Sequence, residues 1–234
     1  MTIRTIADLL RAPPALHGPD GALTAAYRLE DAMFGYFEAA LTPGMRTIEI
    51  GAGVSTIMFA LKRTEHLCIV QEPKQIARIR AYCAAESIAL DTVTFRCEPS
   101  QFALPTLRGQ RYTFALIDGN HGFPAPFVDW YYVAGLLEIG GVAIVDDLHI
   151  WTCDVLAEFL AREAMWERVF GSSRTAVFRK LADGSQDREW ERQPFVLAHS
   201  RASSRFAAFS YIGRMLSRRE WRLLWENIRL RLGH

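Results

Sequence analysis

The chain has 234 residues, half of them apolar, and its 27 Lys and Arg nearly balance 26 Asp and Glu for a formal net charge of +1. That length supports a sizeable α/β core, and a charge this close to neutral gives no global signal for nucleic-acid binding. The four cysteines (Cys68, Cys83, Cys97, Cys153) show no Cys-x-x-Cys spacing, and no basic region followed by an apolar run stands at the N-terminus. With no stretch near the roughly eighteen uninterrupted apolar residues of a membrane span, a reduced, cytoplasmic protein is expected.

Residues 1–22 read as irregular, broken by Pro13-Pro14 and by His17-Gly18-Pro19-Asp20-Gly21. An aromatic-rich helix is predicted from Thr24, its cap, to Leu41, with Pro43-Gly44 as its stop. Its Tyr27, Phe34, Tyr36 and Phe37 are expected mostly to pack on a sheet rather than line a substrate entrance. Strands are then predicted at 45–50, 66–71, 92–97, 112–118 and 142–146. Between them come helices at 54–63, 73–87, a short one near 100–108, and 124–138. Pro73 suits the first turn of its helix, and Gly140-Gly141 is expected to end the fourth helix and lead into the fifth strand. A further helix at about 153–164 precedes two short strands, 166–170 and 175–179, around Gly171-Ser-Ser-Arg174, which read as a β-hairpin. Such alternation predicts an α/β fold with a doubly wound, mostly parallel sheet that binds ligands at the carboxyl ends of its strands.

The first strand runs into Glu49-Ile-Gly-Ala-Gly-Val-Ser55. Gly51 permits a tight bend, Gly53 lets a ligand approach the backbone, and the next helix offers unpaired N–H groups. Glu49, one residue short of the strand end, is expected to face the same crevice. Glu72 lies about twenty residues on, where an acid can accept both hydroxyls of a ribose, so an adenosine-type cofactor is implied.

Strand four ends in Asp118-Gly-Asn-His121 and strand five in Asp146-Asp147-Leu-His149. Side by side, these ends would crowd three carboxylates into one crevice. Two unit charges about 4 Å apart repel by about 4 kcal/mol even at an effective dielectric near 20. Such a cluster must protonate, find cations or hold a metal, and residues 112–161 contain no Lys or Arg. Oxygen-only ligands suit Mg²⁺ or another divalent ion at Asp118, Asp146 and Asp147. The competing structural role is a simple turn cap for Asp146 or Asp147. His121, with an ordinary pKa of about 6.5, is a candidate general base; against a phenol of pKa about 10 the transfer is about 5 kcal/mol uphill, which a bound cation would reduce. His149 is the competing base.

Together these residues resemble the class I S-adenosylmethionine-dependent methyltransferases, in the small metal-dependent O-methyltransferase branch with Asp-Gly-x-His and Asp-Asp motifs. The resemblance implies a Rossmann-like seven-stranded methyltransferase sheet with a C-terminal hairpin. It divides the chain into an N-terminal helical segment (1–43), an S-adenosylmethionine-binding core (44–181), and a linker with a basic amphipathic helical tail (182–234). It also implies that Glu49, Gly51, Ala52, Gly53 and Ser55 face the methionine end of the cofactor, that Glu72 holds the ribose, that Ser100 touches adenine, and that Asp118 contacts the cofactor as well. Asp118 and His121 become the catalytic residues, and Asp118, Asp146 and Asp147 the Mg²⁺ ligands. After His121 the chain departs from the branch, with Gly-Phe-Pro-Ala-Pro-Phe in place of Ser/Thr-Tyr-Glu. The expected reaction is methyl transfer to a hydroxyl of a small molecule or sugar. A catalytically inactive S-adenosylmethionine-binding subunit is one alternative. An NAD(P)-dependent oxidoreductase is the other, with Thr56 where its third glycine belongs and no hydride-transfer pair in sight.

In the tail, Trp221, Leu224, Trp225, Ile228 and Leu232 recur at spacings of three and four, and residues 214–234 carry six Arg against two Glu. That amphipathic helix is expected to dock on protein, most simply in a homodimer, in preference to a membrane surface.

Overall fold

The computed structural model describes residues 3–19, 22–24 and 29–200. A compact unit extends to Asp187, and a second begins at Arg188. Of the second, the described part is a 3₁₀ turn at Trp190–Arg192 and helical residues 194–200. Tyr27 and the tail helix predicted over 206–232 lie outside the described residues.

Five strands alternate with helices as the pattern requires: β1 (Arg46–Ile50), α3 (Val54–Leu61), β2 (Glu65–Ile69), α4 (Pro73–Ala85), β3 (Val93–Arg96), α5 (Ser100–Ala103) with a following 3₁₀ turn, β4 (Tyr112–Ile117), α6 (Ala125–Leu136) and β5 (Leu137–Val145). Helix α7 (Trp151–Arg162) leads into the hairpin β6 (Trp166–Gly171) and β7 (Ala176–Lys180). The sheet has seven strands in the order β3-β2-β1-β4-β5-β7-β6, parallel except where β7 pairs with β5 and β6. The order reverses between β1 and β4, which opens a crevice at their carboxyl ends.

Three stretches differ from expectation. Helix α6 ends at Leu136, and Gly140-Gly141 lies inside β5 as an irregularity: Leu137 pairs with Tyr112, and pairing resumes only at Val142 with Phe114. Gly140 has φ +87, so the glycines shape a bulge rather than the helix stop. At the N-terminus, Ile6–Arg11 forms α1 rather than an irregular stretch. The Thr5 hydroxyl accepts from the Asp8 backbone N–H while the Asp8 carboxylate accepts from Thr5, a complete capping box. The next helix, α2, is described over Asp31–Ala40 with Glu30 as its N-cap; Thr24 instead exchanges backbone hydrogen bonds with His17.

One face of the sheet is covered by α1 to α4. Here Phe37, Phe59 and Phe114 meet with ring centroids 5.1 to 5.7 Å apart, and Phe34 is fully buried beside them. Tyr36 stacks on Phe170, so these aromatics pack on the sheet. The other face is covered by α6 and α7, where Trp130 meets Phe159 edge-on at 5.1 Å. Buried Lys180 closes the end of α6, donating to the carbonyls of Ala134 and Leu137 at 2.7 Å each. No helix among the described residues is long and apolar enough to cross a membrane.

Candidate active site

The glycine turn is fastened from beneath. Gly51 has φ +100, and a Cβ there would lie 2.0 Å from the carbonyl oxygen of Asp118, so glycine is required by the close approach of two backbones. A side chain at Gly53 would instead meet the His17 imidazole at 3.1 Å. The carbonyls of Gly51 and Ala52 accept from Cys68 Sγ at 3.4 Å and Gln75 Nε2 at 3.1 Å, and the Gly53 N–H donates to Thr56 at 3.1 Å.

Glu49 does not face the crevice. Side chains alternate along a strand, and Glu49 pairs in register with Leu116 and Cys68, on the face that α1 to α4 cover. It is 0 % exposed. Its carboxylate accepts from Ser55 Oγ at 2.7 Å and from the Thr56 hydroxyl, with His66 Nε2 at 3.1 Å. His66 in turn meets Thr47 Oγ1 at 2.8 Å and stacks on Phe59. Glu49 therefore holds the start of α3 in place from inside the core.

Three adjoining cavities run along the carboxyl ends of the strands. The first, of about 510 Å³, is lined by Ala52, Gly53, Ser55, His17 and the acidic cluster with Asp118, His121, Asp146, Asp147 and His149. The second, of about 380 Å³, shares Asp118 and Gly119 with the first and is lined by Gly51, Glu72 and Ser100. Glu72 caps α4 by accepting from the Lys74 N–H at 3.1 Å. A third, of about 330 Å³, shares Ser100, Gln101, Asn120 and Ala125 with the second and is also lined by Asp129.

Register brings the acidic groups together. Ile117 pairs with Val145, so Asp118 and Asp146 emerge from neighbouring strand ends. Asp147 follows with φ +56, a left-handed conformation that aspartate tolerates better than most residues. His121 Nε2 lies 3.6 Å from Asp118 Oδ1 and 3.4 Å from Asp147 Oδ2, and the Thr152 hydroxyl donates to its carbonyl. Burial pushes the Asp118 carboxyl upward, reinforced by Asp146 and Asp147 and opposed by His121. The Asp118 carboxylate raises His121 above 6.5, with burial acting the other way and Asp147 adding to the rise. His149 Nδ1 stands 3.5 Å from Asp147 Oδ1, further towards solvent.

Of the three aspartates expected to hold a metal, Asp146 is raised by burial and engaged by the Thr175 hydroxyl, while ligand atoms of Asp118, His121 and Asp147 lie within 4.8 Å of one another. The cation that residues 112–161 lack comes from the hairpin: Arg174 pairs with Asp147. Its turn is clamped by Glu30, which accepts from the hydroxyls of Ser172 and Ser173 and from the Arg174 N–H. Sequence reading missed Glu30, Arg174 and Thr175, because a turn reads as a connection until the sheet order shows which strand end it overhangs. His17 carried no local signal at all.

Residues 48–148 match the family model described as a methyltransferase domain. Among solved structures, the cofactor-bound protein Rv0187 from MTB is 19% identical, with 75% of this chain and 88% of that one covered and a TM-score of 0.54. A candidate rRNA methylase from Clostridium thermocellum is 13% identical over 67% of this chain and 99% of that one, with a TM-score of 0.53. A candidate O-methyltransferase from Klebsiella pneumoniae is 14% identical over 70% and 84%, with a TM-score of 0.52. No curated protein is similar enough in sequence to match. The seven-stranded Rossmann-like sheet shares its fold with these structures, and the glycine turn and both acidic strand ends lie inside the stretch that matches the methyltransferase-domain model.

Proposed function

We propose that the protein transfers the methyl group of S-adenosylmethionine to a hydroxyl oxygen of a small-molecule or sugar acceptor. The observation that carries this reading is the meeting, in the first cavity, of the glycine turn with a histidine held between two carboxylates. In this reading the methionine end lies along Ala52 to Ser55 and the ribose against Glu72. That leaves the sulfonium methyl beside Asp118, in an acidic crevice suited to a cation.

The acceptor oxygen attacks the methyl carbon in line as the carbon–sulfur bond breaks, releasing S-adenosylhomocysteine. The hydroxyl proton passes to His121 Nε2. Asp118 and Asp147 stabilise the resulting imidazolium, and the same carboxylates make the neutral ring a stronger base than a free imidazole. Alignment in the crevice supplies much of the remaining acceleration.

Asp118, His121 and Asp147 also fit a divalent ion such as Mg²⁺ or a softer metal that accepts one nitrogen ligand. Bound there, an ion would lower the pKa of an acceptor hydroxyl. Ligation by His121 and proton acceptance by His121 exclude each other, and in the metal-bound form the proton would fall to His149. A labelled-methyl screen against cell extracts, with and without chelator, tests the assignment. Label transfer that survives chelation and disappears in His121→Ala supports the proposed base. Loss on chelation, or the same loss in His149→Ala alone, moves the proton to His149. No transfer with a bound cofactor would mark a binding subunit.

A further inference from the structure

Among the described residues that line the first cavity, Arg174 is the only lysine or arginine, and it shares that cavity with Asp118, Asp146 and Asp147. It comes from the β6–β7 turn, and its Nη2 donates to Asp147 Oδ1. The other oxygen, Asp147 Oδ2, lies 3.4 Å from His121 Nε2, so one carboxylate joins the arginine to the histidine. The backbone that carries the guanidinium is tied on two sides. The Arg174 N–H donates to Glu30 at 3.0 Å, beside Ser173 Oγ, which donates to the same carboxylate at 2.6 Å. The Arg174 carbonyl accepts from the Leu148 N–H at 2.8 Å, one residue beyond Asp147. An arginine keeps its charge throughout the pH range of a folded protein, and one mounted on a fixed turn loses little further freedom on pairing.

The ligand atoms of Asp118, His121 and Asp147 that suit a divalent ion thus share their place with a positioned positive charge. An ion that used Asp147 would have to displace or share this pair and settle beside the guanidinium, where like charges in a half-buried crevice repel strongly. We propose that Arg174 is the resident counter-cation of the crevice, holding Asp147 against divalent-ion binding and so keeping His121 free to take the acceptor proton. Its catalytic consequence rests on the methyl-transfer reading above, in which an ion ligated by His121 would occupy the nitrogen that receives the proton. The exclusion of the ion does not need that reading. Arg174 is a positioning residue, acting on His121 through Asp147.

The test titrates Mn²⁺ into the full chain without cofactor and follows the free ion by electron paramagnetic resonance. Arg174→Gln and Arg174→Met remove the charge and keep the backbone bonds of the turn. Either should bind one Mn²⁺ at least about tenfold more tightly than the wild type, because the repulsion is gone and Asp147 is released. Adding Asp147→Asn should abolish the gain, which locates the ion at the cluster. A merely structural role for Arg174 would move folding stability and leave Mn²⁺ affinity alone. Equal affinity in the wild type and a folded neutral variant, including no binding by either, would overturn the proposal, as would a gain that survives Asp147→Asn. If neither neutral variant folds, the wild type decides alone: saturation in the micromolar range that depends on Asp147 contradicts the proposal, and its absence is the expected result. With no cofactor present, these outcomes are separate from the S-adenosylmethionine reading, which fails instead if S-adenosylhomocysteine does not bind.

Discussion

Replacing Asp129 by Asn should stabilise the ligand-free protein at neutral pH and leave it unchanged in acid. The carboxyl titrates near 3.8 when exposed and at about 6 in the fold, because burial disfavours its charge. A folded pKa raised above the unfolded one means that the folded state binds the proton more tightly. The group's contribution is thus fully present below about pH 3.8 and is lost as pH rises through about 6. Two units at about 1.4 kcal/mol each give a loss of about 3 kcal/mol above pH 7. Asn matches the shape and never ionises, so it escapes that loss. Urea denaturation followed by circular dichroism at several pH values between 4 and 8 measures the difference. The gap between variant and wild type should open from near zero at pH 4 to about 3 kcal/mol at pH 8. Parallel stability profiles would refute the reasoning, because they would show that Asp129 titrates alike in folded and unfolded chains.

Other substitutions probe separate parts of the account. Glu49→Ala strands the buried hydroxyls of Ser55 and Thr56, each costing about 1–3 kcal/mol, so thermal unfolding should shift strongly downwards; Glu49→Gln, which keeps an acceptor, should cost much less. Lys180→Met leaves the carbonyls of Ala134 and Leu137 without their donor and should destabilise by about 2 kcal/mol or more, read by denaturant midpoint. Glu72→Ala should weaken S-adenosylhomocysteine by about 1–3 kcal/mol in calorimetry and, because it also removes the cap of α4, lower the melting temperature by about 2–4 °C. His121→Ala should slow the chemical step by about 100-fold or more while cofactor affinity holds.

Much of this was legible in the sequence because apolar alternation and glycine breakers are local signals. All five parallel strands, the hairpin and the four helices between them follow from such spacing. What escaped depended on orientation and on distant contacts. Glu49 was expected in the crevice, yet strand parity with Thr47 turns it inward, under α3. Helix α1 escaped because Pro13-Pro14 and the following glycines dominated the reading, although the Thr5 and Asp8 capping pair was in plain view. The metal argument rested on the absence of cations between 112 and 161, and Arg174 enters from beyond that window. Asp129 did leave a trace: a lone acid inside the apolar run Ala125–Leu136 is either paired or aimed at a cavity. Gly51 shows the same lesson: the sequence marks it as a tight bend, whereas the 2.0 Å approach to Asp118 makes Gly51→Val a fold-breaking change.

The central claim is that the groove running from the glycine turn past Glu72 to Asp129 holds S-adenosylmethionine. Calorimetric titration of the full chain with S-adenosylhomocysteine, beside a matched titration with NAD, tests it without any knowledge of the acceptor. The account predicts saturable one-to-one binding of S-adenosylhomocysteine, weakened by Glu72→Ala, and no binding of NAD at the same concentrations. Saturable binding of NAD, or S-adenosylhomocysteine affinity indifferent to Glu72, would contradict it.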